Sequence, residues 1–307
     1  RVIFVEDQEQ LDKLLCQRAD LPLLERVVVF DWTGLRDFDD PLVVPFEAFL
    51  ATGDAAVDLS ARIAATRGGD TALLVYTSGT TGPPKGAMLT HDNLCWTSRS
   101  LGEANELRAS DEVLSFLPLC HIAERLMTVV NQLVHGYTVN FAESLDTVPQ
   151  NLAEVSPHVL FAVPRIWEKF ASRVTLTMKD ASVVKRVAFS SALRVGQQVT
   201  LKRERGEPVG FATRLLHQLA LGAVFYPLKK RLGLERVRLA ISGAAPISPD
   251  VLRFFHAIGL ELLEVYGQTE GSGPTTIHRR GDVRIGSVGR AIPGVDVRIG
   301  ADGEILV

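Results

Sequence analysis

Short apolar, β-branched runs alternate with longer amphipathic stretches along most of this chain. Residues 26–30 (Arg-Val-Val-Val-Phe) read as a buried strand, as do 72–76, 113–116, 137–141, 158–162, 237–241 and 260–265. Between them, apolar positions recur at helical spacing over 92–101, 123–134, 147–155, 165–174 and 249–258. Alternation of this kind predicts an α/β fold with a mostly parallel sheet and helices on its faces. The local punctuation agrees. Ser248 can cap a helix whose first position is Pro249, and Gly259 can stop it. In such sheets ligands gather at the carboxyl ends of strands. The polar segments 77–86 and 266–270 each follow an expected strand directly, so both are expected to face one site.

Residues 171–236 depart from this rhythm. They are helix-rich, with a charged break at 202–208, and read as a helical elaboration of the sheet rather than a separate domain. Within them the stretch 215–228 is strongly apolar, but His217, Gln218 and Pro227 interrupt it, and no run is long enough to span a bilayer. It ends in Lys229-Lys230-Arg231. Two readings follow. One is a buried helix whose basic end complements its dipole. The other is a helix resting on an anionic membrane surface. Buried helices are the commoner case in soluble folds, so the first is preferred.

Composition narrows the class of protein. The 307 residues are 46% hydrophobic and 22% charged, an ordinary globular balance large enough for a real core. A net charge of -3 gives no electrostatic reason to expect a nucleic-acid partner. Cys16, Cys95 and Cys120 are odd in number and fit neither a disulfide framework nor a zinc spacing. That favours a cytoplasmic setting, with peripheral contact at the inner face of a membrane as the variant reading. The chain opens on Arg1 inside a strand-like run, and a turn over 301–304 leads into a short final run, so it reads as a fragment.

The chemistry is densest in Thr77-Ser78-Gly79-Thr80-Thr81-Gly82-Pro83-Pro84-Lys85-Gly86. Its hydroxyls can donate to phosphate oxygens, its glycines admit close approach of backbone amides to an anion, and Lys85 adds a point charge. A polar surface loop would rarely combine four hydroxyls, three glycines and a lysine. It is not a Walker A loop, which requires Gly-Lys-Ser/Thr opening a helix. Here Pro84 precedes Lys85, residues 87–90 read as strand, and Asp92 reads as the cap of a delayed helix.

The loop resembles the signature of the adenylate-forming (AMP-binding) superfamily of acyl-CoA synthetases, luciferases and peptide-synthetase adenylation domains. Leu117-Pro118-Leu119-Cys120-His121, Ser242-Gly243-Ala244-Ala245-Pro246 and Tyr266-Gly267-Gln268-Thr269-Glu270 resemble further motifs in the expected order. Residues 163–169, the helical insertion and Ser287-Val288-Gly289-Arg290 look like the long-chain fatty acyl-CoA synthetase branch. The resemblance runs nearly end to end and implies the large N-terminal domain of that fold, with layered α/β/α subdomains. The small C-terminal domain, its lysine and a ribose-gripping aspartate would lie beyond Val307. This chain alone would then turn over poorly.

Resemblance and residue chemistry together assign the site. Thr77, Ser78, Gly79, Thr80, Thr81, Gly82 and Lys85 would hold phosphates. Gly243, Ala244 and Ala245 would border the purine with the backbone of Glu264, Val265 and Gly267, and Tyr266 would stack on it. Thr269 would meet the α-phosphate, and Glu270 with Thr77 would hold Mg²⁺. Lys85, Thr269 and Glu270 are the expected catalytic residues. His121 is expected to border the acyl carboxylate; a dyad with Cys120 is rejected, because neighbours on an extended chain point apart. Arg165 and Trp167 are candidate walls of an acyl tunnel. Gln268 and Gly271 depart from the commonest form of their motif at positions without an assigned role.

The implied reaction joins a long-chain fatty acid to ATP, releases pyrophosphate, and passes the acyl group to coenzyme A. Two alternatives remain: transfer of the adenylate to a carrier protein, and a non-catalytic relative that binds nucleotide or lipid.

Overall fold

The computed structural model describes residues 1–54, 57–77 and 82–307, which form two compact units, Arg1–Thr66 and Arg67–Val307. In the first, strands β1 (Val2–Val5), β2 (Arg26–Val29) and β3 (Val43–Pro45) pair in parallel in that order. Helices α1 (Gln8–Cys16), α2 (Phe46–Ala51) and α3 (Ser60–Ala65) accompany them. The central strand is the most buried, and Val27, Val28 and Val29 are fully covered. Leu11 of α1 closes the core from the side, and Asp7 caps that helix by accepting from the Gln10 amide.

The second unit carries the main sheet. Its elements are β4 (Thr71–Thr77), β5 (Lys85–Thr90), α4 (His91–Asn105), β6 (Glu112–Ser115), α5 (Ile122–Arg125), α6 (Asn131–His135), β7 (Thr138–Phe141), α7 (Val148–Val155), β8 (Val159–Ala162), α8 (Pro164–Lys179), α9 (Val183–Glu204), α10 (Phe211–Ala220), α11 (Tyr226–Arg231), β9 (Leu239–Ser242), α12 (Pro249–Ala257), β10 (Leu262–Gln268), β11 (Gly273–Ile277) and β12 (Arg290–Ala291). A last hairpin, β13 (Arg298–Ile299) with β14 (Ile305–Leu306), follows. Among the described residues the sheet order is β12-β11-β10-β9-β8-β6-β7, parallel from β10 through β7 and antiparallel at β11 and β12.

Successive strand residues point to opposite faces, and both faces are covered. Leu114, Leu160, Ala240 and Leu262 join one core beneath α7, α8, α9 and α12. Their neighbours Val113, Val159, Ile241 and Leu263 join a second core with Leu101 of α4 and Met127. This double burial is why these strands read as unbroken apolar runs. The helical insertion belongs to the same body, since α9 lies against α12. That crossing is close: a β-carbon on Gly196 would fall 2.3 Å from the Ala257 carbonyl oxygen, so only glycine fits.

Four expectations change. The run 72–76 is not a buried strand of the parallel sheet. Instead, β4 pairs antiparallel with β5, with Leu74 opposite Met88 and Thr77 opposite Lys85. Val75 and Leu89 face inward, while Leu74, Tyr76 and Met88 are exposed. The helix after β5 is capped by Thr90 rather than Asp92: the Thr90 hydroxyl accepts from the Asn93 amide and the Asn93 side chain accepts from the Thr90 amide. The pattern over 123–134 forms α5, a π-turn Leu126–Val130 and α6. Finally, the apolar stretch 215–228 is not a buried helix. It forms α10, a π-turn Leu221–Phe225 and α11, and only His217, Ala220 and Phe225 along it are buried. Among the described residues no helix is long and apolar enough to cross a membrane.

Candidate active site

The carboxyl ends of β8, β9 and β10 converge. The segment leaving β9 begins at Gly243, which is buried because its missing β-carbon makes room for β10: the position it would occupy is 2.4 Å from Val265 Cγ1 and 3.3 Å from the Phe161 ring. Its smallness therefore serves strand packing, and the open backbone begins one residue later. Ala244 and Ala245 are exposed, and Ala244 adopts φ +68°. A non-glycine residue held there is uncommon and marks a tightly shaped turn. On β10, pairing with β11 slips between Tyr266 and Gly267, a bulge that redirects the strand end. Tyr266 is half-buried, Gly267 is exposed, and the chain then turns through Thr269–Gly271.

Beneath these ends lies a cavity of about 180 Å³. Leu101, Met127, Phe161, Ile241 and Ile277 give it apolar walls, and Ala244, Val265, Gln268, Thr269 and His121 sit at its edge. His121 caps α5: its Nδ1 accepts from the Ala123 amide at 3.1 Å, leaving Nε2 as the ring's remaining polar atom. Cys120 is exposed and makes no dyad with it. Arg165 is exposed, and Trp167 is buried in the core with its indole N–H donating to Ala162 O and Ile241 O, so neither lines this cavity.

Two further side chains support this wall, neither of them given a site role from sequence. Glu124 is buried and accepts from the Ser115 hydroxyl at 2.5 Å and the Thr128 hydroxyl at 2.8 Å, tying the end of β6 to the wall helix. Arg125 donates from Nε to Leu119 O at 3.0 Å and braces the segment before His121. The only sequence signal was the Glu124–Thr128 spacing of one helical turn.

On the phosphate side, Thr77 and Lys85 face each other across the mouth of the β4–β5 hairpin. Ser78, Gly79, Thr80 and Thr81 lie outside the described residues; Gly82, at φ +88°, begins the return. β4 is not part of the parallel sheet, and β5 runs beside the Thr269–Gly271 turn. Thr269 edges the apolar cavity, whereas exposed Glu270 opens on a neighbouring groove that also holds Asp92 and Asn93. Among the described residues no group of three His, Cys, Asp or Glu side chains could hold a metal alone. Glu270 alone, in a groove that Thr97 and Ser272 also line, is compatible with Mg²⁺, which takes one or two carboxylates and draws its other ligands from phosphates and water.

The edge of β10 is electrostatically unusual. Burial pushes the Glu264 carboxyl up to about 7, and among the described residues its Oε2 has no hydrogen-bond partner. Among the same residues Ser242, its register partner on β9, also has an unpartnered hydroxyl. The backbone of Glu264 is firmly held. Its amide donates to His278 Nδ1, so His278 Nε2–H donates to Ser287 Oγ, which donates to Arg284 O. Burial lowers the pKa of His278, which favours this neutral tautomer.

The arrangement is thus a cavity with largely apolar walls at the carboxyl end of a parallel sheet, with β5 running beside the turn at its edge. Similar proteins share the fold. The crystal structure of the anthranilate CoA ligase AuaEII with anthranoyl-AMP superimposes on all of this chain and 48% of its own length, with TM-score 0.66 at 19% identity. The N-terminal domain of FACL13 from Mycobacterium tuberculosis gives TM-score 0.59 at 20% identity over 99% of this chain and 67% of its own. In sequence, the long-chain-fatty-acid–CoA ligase ACSBG2 of Xenopus laevis is 34% identical over 99% of this chain, and that of Rattus norvegicus 32% over 95%. The chain spans 42% and 45% of those relatives. The sequence profile of the AMP-binding enzyme family matches residues 1–306, and the chain belongs to that family.

Proposed function

We propose that this chain forms the nucleotide- and acyl-binding part of a ligase. The whole protein would activate a long-chain fatty acid with ATP and pass it to coenzyme A. One observation carries the reading: the apolar cavity ends at Thr269, on the turn that β5 of the phosphate-loop hairpin runs beside. A fatty acid lying in that cavity would present its carboxylate between His121 and Thr269. Identity of about one third to long-chain-fatty-acid–CoA ligases, along nearly the whole chain, supports the acyl class.

In the first step a carboxylate oxygen attacks the α-phosphorus of ATP, the bond to the bridging oxygen breaks, and pyrophosphate leaves with that electron pair. In the second the coenzyme A thiol, losing its proton, displaces AMP from the acyl carbon. The first step brings two anions together, so the protein's task is to position them and offset charge. Thr77, the loop after it and Lys85 would bind the departing phosphates. Ala244, Ala245 and Tyr266 would border the adenine, and Thr269 would donate to the α-phosphate. Glu270 would hold Mg²⁺, which supplies charge neutralisation on the phosphates when bound. Contact with a membrane surface, where long-chain acids dissolve, completes the proposal.

Acid-dependent ATP–pyrophosphate exchange by the full-length protein tests it. Exchange should rise with chain length, and Glu270→Gln should lower it at least about a hundredfold at saturating Mg²⁺. Exchange that ignores the acid would sink the activation reading. Unchanged exchange by Glu270→Gln would remove the metal assignment, and thioester formed on a carrier protein but not on coenzyme A would change the acceptor.

A further inference from the structure

Charge and exposed apolar surface are distributed unevenly. Residues 181–234 contain ten Lys and Arg against two Asp and Glu, a net +8 in a chain whose total is -3. Both acids are engaged: Glu204 with Arg253 and Glu207 with Arg205. From 208 to 234 there is no acidic residue. This cationic block is the helical insertion, and its outermost helices carry apolar side chains into solvent. Phe211 is 81% exposed, and Leu215, Leu216, Leu219 and Tyr226 are each more than half exposed. Phe211, Leu215 and Leu219 recur every four residues, so they lie on one stripe. The opposite side of α10 packs through His217, whose Nε2 meets Ala257 O at 3.0 Å, and through Ala220. Solvent-facing helix positions are ordinarily polar, and a contiguous apolar face of this kind marks an interaction surface.

Cations frame the stripe. Arg214 lies within it, and Lys230 and Arg231 close its end; all three are exposed, with no ion pair among the described residues. Lys229, by contrast, anchors the helix by donating to Gly259 O at 3.3 Å. An apolar stripe with basic residues at its margins and no acidic residue on its own helices is complementary to a surface that is apolar inside and anionic outside.

We propose that the outer face of α10 and α11 is a docking surface for an anionic lipid bilayer. The stripe inserts among the acyl chains, and Arg214, Lys230 and Arg231 meet the headgroups. Docking there would hold the protein on the phase in which a long-chain acid is dissolved; that benefit rests on the proposed function, whereas the docking does not.

The test is flotation of the full-length protein with vesicles of phosphatidylcholine, alone or mixed with phosphatidylglycerol. The protein should float with the mixed vesicles, and less so as salt rises. Phe211→Gln/Leu215→Gln/Leu219→Gln should lower partitioning at least about tenfold, and Lys230→Gln/Arg231→Gln should remove the preference for anionic vesicles. Circular dichroism and exchange with a short soluble acid should match wild type, which separates loss of docking from loss of catalysis. Absence of flotation, or flotation unaffected by the triple change, overturns the proposal. So does a dimer that the triple change splits, or a stripe protected from hydrogen exchange before vesicles are added, because either means that protein already covers it.

Discussion

Glu264 has lost water, and among the described residues its Oε2 gains no donor, which makes its protonation a matter of stability. Its ordinary pKa of 4.5 rises to about 7 in the fold. Below 4.5 the carboxyl is neutral whether the chain is folded or not. As pH climbs from there the unfolded chain ionises freely while the folded chain resists, so stability falls until pH passes 7. Glu264→Gln keeps the shape and removes the titration. Its unfolding free energy should match wild type below pH 4.5 and exceed it above pH 7, by about 1 kcal/mol after discounting for the water that still reaches the carboxyl, and its melting temperature should rise accordingly. Equal melting curves at pH 8 would contradict the assignment. At this scale residue types were legible from sequence and their surroundings were not. Gly243 stood out as small, but only the structure shows Val265 filling the space. Glu124 looked like any helix carboxylate until two hydroxyls converged on it.

Elements were more legible than residues wherever both faces of a strand are buried. The runs at β6, β8, β9 and β10 identify themselves because alternate residues enter two separate cores. Sequence misread the elements that bury one face only. The apolar residues of β4 and α10 matched those of core elements in type, yet Leu74, Tyr76, Leu215 and Leu219 are exposed. Hydrophobic pattern reports which residues can be buried; what lies opposite decides whether they are. Capping is a similar case. Asp92 and Thr90 are both competent caps, and the choice falls to Thr90 because β5 delivers it in extended conformation, with φ -85° and ψ 164°. Thr90→Ala should cost about 1 kcal/mol of unfolding free energy in urea, and Asp92→Ala clearly less. The reverse order would reassign the cap. Since this helix borders the groove that holds Glu270, the Thr90 change should also weaken nucleotide binding.

Across the whole molecule, the sheet separates stability from function along its strands. The residues proposed to bind gather at the carboxyl ends, and the amino ends are tied by charge. Asp111, just before β6, is buried and paired with Arg238, just before β9, whose Nε donates to Asp111 Oδ1 at 2.9 Å. Beside it Arg236 reaches Glu112 at 2.5 Å and His158 at 2.9 Å. These bonds join residues more than 75 positions apart across β6, β8 and β9, so no local pattern announces them. Truncating one partner of a buried pair leaves the other charged without compensation, at a cost of about 3–5 kcal/mol, whereas replacing both with apolar groups is far milder. Arg238→Met should therefore lower unfolding free energy by about that amount, and Asp111→Leu/Arg238→Met should recover most of the loss. The urea slope should stay constant, because the surface exposed on unfolding is unchanged. Nucleotide affinity of the folded protein should also hold, since the pair lies at the strand ends away from Ala244, Tyr266 and Thr269. A double variant as unstable as the single would mean that Asp111 contributes through the Arg108 amide, 2.8 Å from its Oδ2, rather than through the arginine. A single variant with normal stability but weakened nucleotide binding would overturn the separation itself.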